Sequence, residues 1–115
     1  IMLDLSLNKI TAINSNTFSS MFSLATLFLD HNQIQSIDER IFNQMPNLQM
    51  LDLTENQCAN RGFFNVPEIR DEMMLVLREC FDVFLSETIS CTFEATSCNL
   101  NIYNPGKNTK NFLMD

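Results

Sequence analysis

Four cysteines, at positions 58, 80, 91 and 98, and one histidine at 31 are the side chains of this 115-residue chain best suited to thiol or metal chemistry. The cysteines are separated by 21, 10 and 6 intervening residues. No Cys-x-x-Cys pair occurs, and a single His cannot complete the usual zinc set, so the spacing argues against a structural zinc site. An even cysteine count fits two disulfides better, and four cysteines allow three pairings. The preferred pairing is Cys58 with Cys80 and Cys91 with Cys98. Free buried thiols are the alternative. Disulfides persist in oxidising compartments, so the paired reading places the chain outside the cell, secreted or in the ectodomain of a membrane protein. One His and four bridged cysteines leave no nucleophile–base pair, and two glycines cannot build a phosphate-cradling loop. The expectation is a non-enzyme with no metal and no cofactor.

The elements that must position these residues repeat. Leu3-Asp4-Leu5-Ser6-Leu7-Asn8-Lys9-Ile10 recurs as Leu27-Phe28-Leu29-Asp30-His31-Asn32-Gln33-Ile34, and again as Leu51-Asp52-Leu53-Thr54-Glu55-Asn56-Gln57-Cys58, each 24 residues on. Between the copies, Ile13 recurs as Ile37, Phe18 as Phe42, Met21 as Met45 and Leu24 as Leu48. A fixed period of this length means stacked units, none of which can bury its apolar face alone. The alternating leucines share one face of a short strand and look inward. Asn8, Asn32 and Asn56 are polar in that apolar stack, which is costly unless their amides are hydrogen-bonded. The period fails at Arg61 and Val66, where an apolar residue and a Phe are due.

Residues 66–85 then read as one amphipathic helix. Asn65 and Glu68 form a capping-box pattern, with Pro67 in the first turn. Ile69, Met73, Val76, Leu77, Cys80 and Phe84 make its apolar face. Cys80 would therefore staple this cap to the last strand through Cys58. Residues 88–103 alternate as a short hairpin that carries Cys91 and Cys98. The tail from Asn99 to Asp115 is polar, with a turn at Asn104-Pro105-Gly106.

The L-x-L-x-x-N-x-[I/C] repeat over residues 1–58 resembles the 24-residue class of extracellular leucine-rich repeats, as in Toll-like receptors and many secreted recognition proteins. That resemblance implies an asparagine ladder and an α/β solenoid: the C-terminal end of a horseshoe, with parallel strands on its concave face, a helical cap and a β-hairpin. The boundaries follow as repeats over 1–58, a capping helix region over 59–86, and a cysteine-paired hairpin with tail over 87–115. The cap lacks the common N-P-[W/F]-x-C-x-C flank. Its Cys58-Ala59-Asn60-Arg61-Gly62-Phe63-Phe64 and Leu77-Arg78-Glu79-Cys80-Phe81 look like the flank of secreted leucine-rich repeat proteins of insects, especially flies and midges. Cys91-Thr92-Phe93 and Cys98 to Gly106 are similar to a short β-segment of the same group. The likeness implies an extracellular binding role, often in innate immunity or adhesion.

A ligand would meet the strand residues that do not face inward. These are Met2, Asp4, Ser6 and Leu7, then Thr26, Phe28, Asp30 and His31, then Met50, Asp52, Thr54 and Glu55. An aromatic among carboxylates suits a protein or peptide with basic and apolar groups, and the same face could serve homo- or heterodimerisation. The plainer reading is that these charges are solvated consensus residues. His31 offers a pH-sensing group in one reading and a solvated strand-edge residue in the other. A net charge of −7 excludes a nucleic-acid surface, and the apolar run Met73 to Leu77 is too short to insert in a membrane. The chain opens inside a strand and reads as a piece of a longer protein. Its uncovered Leu3 and Leu5 should leave it marginally stable or prone to associate. Two rivals to the recognition module remain: a purely structural cap of a receptor or matrix protein, and an intracellular leucine-rich scaffold.

Overall fold

Each copy of the Leu-x-Leu segment folds as a three-residue strand in a computed structural model that describes residues 1–88. The strands are β1 (Met2–Asp4), β3 (Thr26–Phe28) and β5 (Met50–Asp52), parallel and in register: Leu3 pairs with Leu27, and Leu27 with Leu51. Across the coil, β2 (Ala12–Ile13) and β4 (Ser36–Ile37) pair in parallel as a second small sheet, which the periodicity did not reveal. The return from β4 is a 3₁₀ turn, Glu39–Asn43, capped by Asp38, whose side chain accepts from the Arg40 amide. The chain divides into two compact units, Ile1–Phe84 and Leu85–Asp115. The expected hairpin, its Cys91 and Cys98 and the polar tail lie outside the described residues.

The core between the two sheets is built from the periodic positions. Leu27, Leu29, Leu51 and Leu53 are buried with Ile13, Ile37, Phe18, Phe42, Met45 and Leu48. Leu3 and Leu5 pack on the same core and are partly buried. An apolar groove of about 340 Å³ opens there, between β1 and the segment from Ser20 to Leu24.

Asparagine joins the coils. Asn32 Nδ2 donates to the carbonyls of Leu29 and Asp30 in its own turn and to Leu5 in the coil before, at 3.0 to 3.3 Å, while its Oδ1 accepts from the Ile10 amide at 3.0 Å. Asn56 repeats the pattern one period later, reaching the carbonyls of Leu53, Thr54 and Leu29 and accepting from the Ile34 amide. Asn8 bonds only within its own turn, to Leu5 and Ser6. The residue before each Asn is left-handed: Leu7, His31 and Glu55 all have φ 58°. None is glycine, so each costs roughly 1 kcal/mol, which the ladder of bonds around it holds in place.

The cap departs from the sequence reading in three ways. First, Gly62–Phe64 is a strand, β6, that returns antiparallel along β5, with Phe63 opposite Leu51. Three residues are too short to show periodicity, yet they cover the edge of the last parallel strand, which would otherwise present unpaired backbone groups. Second, the capping box at Asn65 does not form. Asn65 is left-handed (φ 57°, ψ 47°) and its side chain makes no cap bond. A side-chain cap needs extended backbone at that residue; here the reversal out of β6 takes the left-handed turn instead. Its carbonyl receives the Glu68 and Ile69 amides.

Third, the single helix expected over 66–85 is two: α1 (Val66–Val76) and α2 (Arg78–Thr88), divided at Leu77, whose ψ of 7° turns the chain. Cys80 is bonded to Cys58, with Cα atoms 5.1 Å apart. The second helix is thus tethered to the last coil, while the Leu77 amide donates to the Met73 carbonyl and the Phe81 amide to the Leu77 carbonyl across the division. The buried face consists of Val66, Met73, Leu77, Cys80 and Phe81, with Ile69 partly buried, while Val76 is exposed. Phe81, absent from the expected apolar face, meets Phe42 edge to face with ring centres 6.1 Å apart, a geometry worth about 0.5–1.5 kcal/mol beyond burial.

Asn32→Ala strands a partly buried Ile10 amide and three carbonyl contacts and should cost about 1–3 kcal/mol, whereas Asn8→Ala should cost less than about 1 kcal/mol. Urea unfolding of the two variants measures the difference, and equal losses would refute the inter-coil role of the ladder.

Candidate functional site

The side of the strands turned away from the core forms two rows. Register sets Met2, Thr26, Met50 and Phe64 in one row and Asp4, Phe28, Asp52 and Gly62 in the other. Both rows are polar and apolar mixed, and both run across all four strands. Met2, Asp4 and Phe64 are exposed, Met2 at 63% and Phe64 at 60%, while Thr26, Phe28, Met50 and Asp52 are half-buried. Phe64 was not among the residues expected here. In a strand, adjacent residues point to opposite faces, so the Phe63-Phe64 pair buries one ring and displays the other once β6 is recognised.

Two of the carboxylates are partly occupied by their own turns. Asp4 Oδ1 accepts from the Ser6 amide at 3.0 Å and from the Ser6 hydroxyl. Asp52 Oδ1 accepts from the Thr54 amide at 3.0 Å and from the Thr54 hydroxyl. This Asp-x-Ser/Thr bracket ends the strand and orders the chain before the left-handed residue. The middle repeat has Phe28 in the corresponding place, and its Asp30 instead bonds His31 Nδ1 at 2.9 Å. The plainer reading of the aspartates therefore accounts for one oxygen of each. The Ser6 hydroxyl first, and the Ser6 amide second, hold the Asp4 carboxyl below its ordinary value of 3.8.

Past the strand ends, Ser6, Asp30 and Thr54 continue the surface, followed by Leu7, His31 and Glu55 in the turns. The Glu55 amide donates to Asn60 Oδ1 at 2.8 Å, which ties that turn to the cap. Cations keep off the sheet: its four strands contain no Lys or Arg. Arg61, just before β6, lies over the buried Phe63 ring at 4.9 Å and pairs with Glu72 of α1 at 2.9 Å. Among the described residues no group of three or more His, Cys, Asp or Glu could hold a metal, and no helix is long and apolar enough to cross a membrane.

Parallel strands repeated at a fixed interval, with an asparagine bonding each coil to the one before, define a stacked-coil repeat protein. The chain belongs to the leucine-rich repeat family, whose model, described as Leucine rich repeat, matches residues 1–58. Repeats of this family are non-enzymatic modules that mediate protein–protein interaction. No curated protein and no solved structure matches the chain.

Because the Asp4 carboxyl is held low, its hydrogen bonds contribute stability above 3.8, and that contribution is lost as pH falls through the folded value. A carboxyl-detected NMR titration should therefore find Asp4 titrating below 3.8, and Ser6→Ala should move it upward. An unchanged Asp4 midpoint in Ser6→Ala would remove Ser6 as the cause.

Proposed function

We propose that the chain is an extracellular protein-recognition module that binds a protein or peptide partner through the outward face of its sheet. The observation that carries this reading is the display of Met2, Phe28, Met50 and Phe64 across four hydrogen-bonded strands, set among Asp4, Asp30, Asp52 and Glu55. Aromatic and methionine side chains are enriched where proteins bind one another, and a rigid sheet presents them without an ordering cost. In this reading the coils and their cap form the closing end of a horseshoe whose concave side is this face. It is a non-enzyme, and its setting is host defence or adhesion. The Cys58–Cys80 bond supports the extracellular assignment, since such bonds are rare in reducing compartments. It weighs against an intracellular scaffold.

A second reading draws on the cap. The antiparallel β6, the disulfide and the Phe42–Phe81 contact together close one end of the stack. A purely structural terminator needs those features and nothing from the outward face.

Two measurements test the proposal. Alkylation of unfolded, non-reduced protein from its native source should leave Cys58 and Cys80 unlabelled, and labelling of both would sink the extracellular assignment. Capture from the conditioned medium of the source cells, compared between the unaltered chain, Phe28→Ala/Met50→Ala and the opposite-side control Asn43→Ala, reads the face. The double variant should lose its partner by about tenfold or more, as truncated central contacts do, and the control should keep it. Retention by the double variant would favour the terminator.

A further inference from the structure

The two rows of the outward face are not equivalent. In one of them a carboxylate stands between an aromatic residue and a glycine, and the Phe64 ring reaches toward that glycine from the other row. Asp52 pairs in register with Phe28 on one side and with Gly62 on the other. Gly62 brings no side chain of its own. A methyl group placed on it would lie 3.5 Å from Phe64 Cε2 and 3.6 Å from Asp52 Oδ1, so the Phe64 ring and the Asp52 carboxylate converge on that bare stretch of backbone. Across the face the order is therefore Phe28, Asp52, Phe64. Asp4 also pairs in register with Phe28.

We propose that Phe28, Asp52 and Phe64 form a subsite for one arginine side chain of the partner protein. Three observations combine. Both hydrogen bonds to Asp52 fall on Oδ1, leaving Oδ2 to accept from a ligand. The two flanking rings, Phe28 half-buried and Phe64 exposed, are of the type that attracts a cation through the ring quadrupole. The strands carry Asp4 and Asp52, with Asp30 and Glu55 just past their ends, and no Lys or Arg, so a positive group is matched to the surface and a negative one repelled. Arginine fits better than lysine because its planar guanidinium stacks on an aromatic ring while its N–H fork still reaches the carboxylate. The same chemistry already occurs in this molecule, where the Arg61 guanidinium lies over Phe63 and pairs with Glu72.

The subsite rests on the proposed use of the outward face and narrows its partner to one presenting an exposed arginine. The test is NMR titration of the full chain with N-acetyl-arginine amide, with N-acetyl-citrulline amide and N-acetyl-lysine amide as controls. Citrulline keeps the shape and removes the charge. Saturable shifts are expected at the amides of Phe28, Asp52, Gly62 and Phe64, with citrulline weaker by about tenfold and lysine by several-fold. Asp52→Asn and Phe64→Leu should each weaken the arginine probe by about tenfold, and Glu79→Gln, at an exposed position of α2, should leave it unchanged. Phe64 is 60% exposed, so its replacement removes little core. The comparison of arginine with citrulline on the unaltered chain needs no variant at all.

Absent shifts, equal response to citrulline or lysine, or indifference to both variants overturns the subsite. If the arginine probe fails while Phe28→Ala/Met50→Ala still loses its captured partner, the face reading stands and the subsite alone falls. If capture is indifferent to the double variant, the face reading itself has failed.

Discussion

The structure depends on backbone groups that a single coil cannot satisfy. Each turn leaves carbonyls and an amide facing the next turn, where they are partly shielded from solvent, and the asparagine amide is the group that meets both needs. Its NH₂ donates to the coil before while its oxygen accepts from that same coil. Leucine alternation supplies the driving force for stacking, but it is indifferent to sliding by a fraction of a residue. The asparagine bonds are directional, and they set Leu3, Leu27 and Leu51 abreast. The tolerance of three non-glycine residues at φ 58° follows from the same constraint, since the turn must present Asn at one angle whatever precedes it.

The repeated part was legible because its physics is periodic. Leu27, Ile37, Phe42 and Leu48 could be assigned to the core from Leu3, Ile13, Phe18 and Leu24, and each coil supported the next inference. The cap offers no second copy. Three residues, Gly62–Phe64, carry too little pattern to announce a strand, and what makes them one is the open edge of β5 beside them. The Asn65–Glu68 pair had the residue types of a capping box but not the backbone. The helical spacing from Ile69 to Phe84 was a correct reading of which side is apolar at Met73, Leu77 and Cys80, and gave no sign that Leu77 would break the axis. The strand residues of the outward face were readable from alternation, but Phe64 enters it from the cap, outside the repeat.

Sealing and display are thus joined in β6. One residue, Phe63, completes the inward row that Leu3, Leu27 and Leu51 begin, and the next, Phe64, extends the outward row of Met2, Thr26 and Met50. A cap made only of helix would have covered the core and added nothing to the sheet. Gly62 adds no side chain to the row, so the Phe64 ring and the Asp52 carboxylate are its nearest side-chain neighbours.

The covalent bond between Cys58 and Cys80 gives the molecule a mechanical direction. Each coil leans on its neighbour only through hydrogen bonds and apolar contact, which yield one at a time. Tension entering at Ile1 would peel β1 from β3 and then β3 from β5, releasing chain in equal lengths as each asparagine lets go. The peeling stops at Cys58, where the closed ring to Cys80 passes force directly into α2 and spares β6 and α1. The stack therefore behaves as a ratcheted spring with a fixed stop, soft at the first coil and hard at the last.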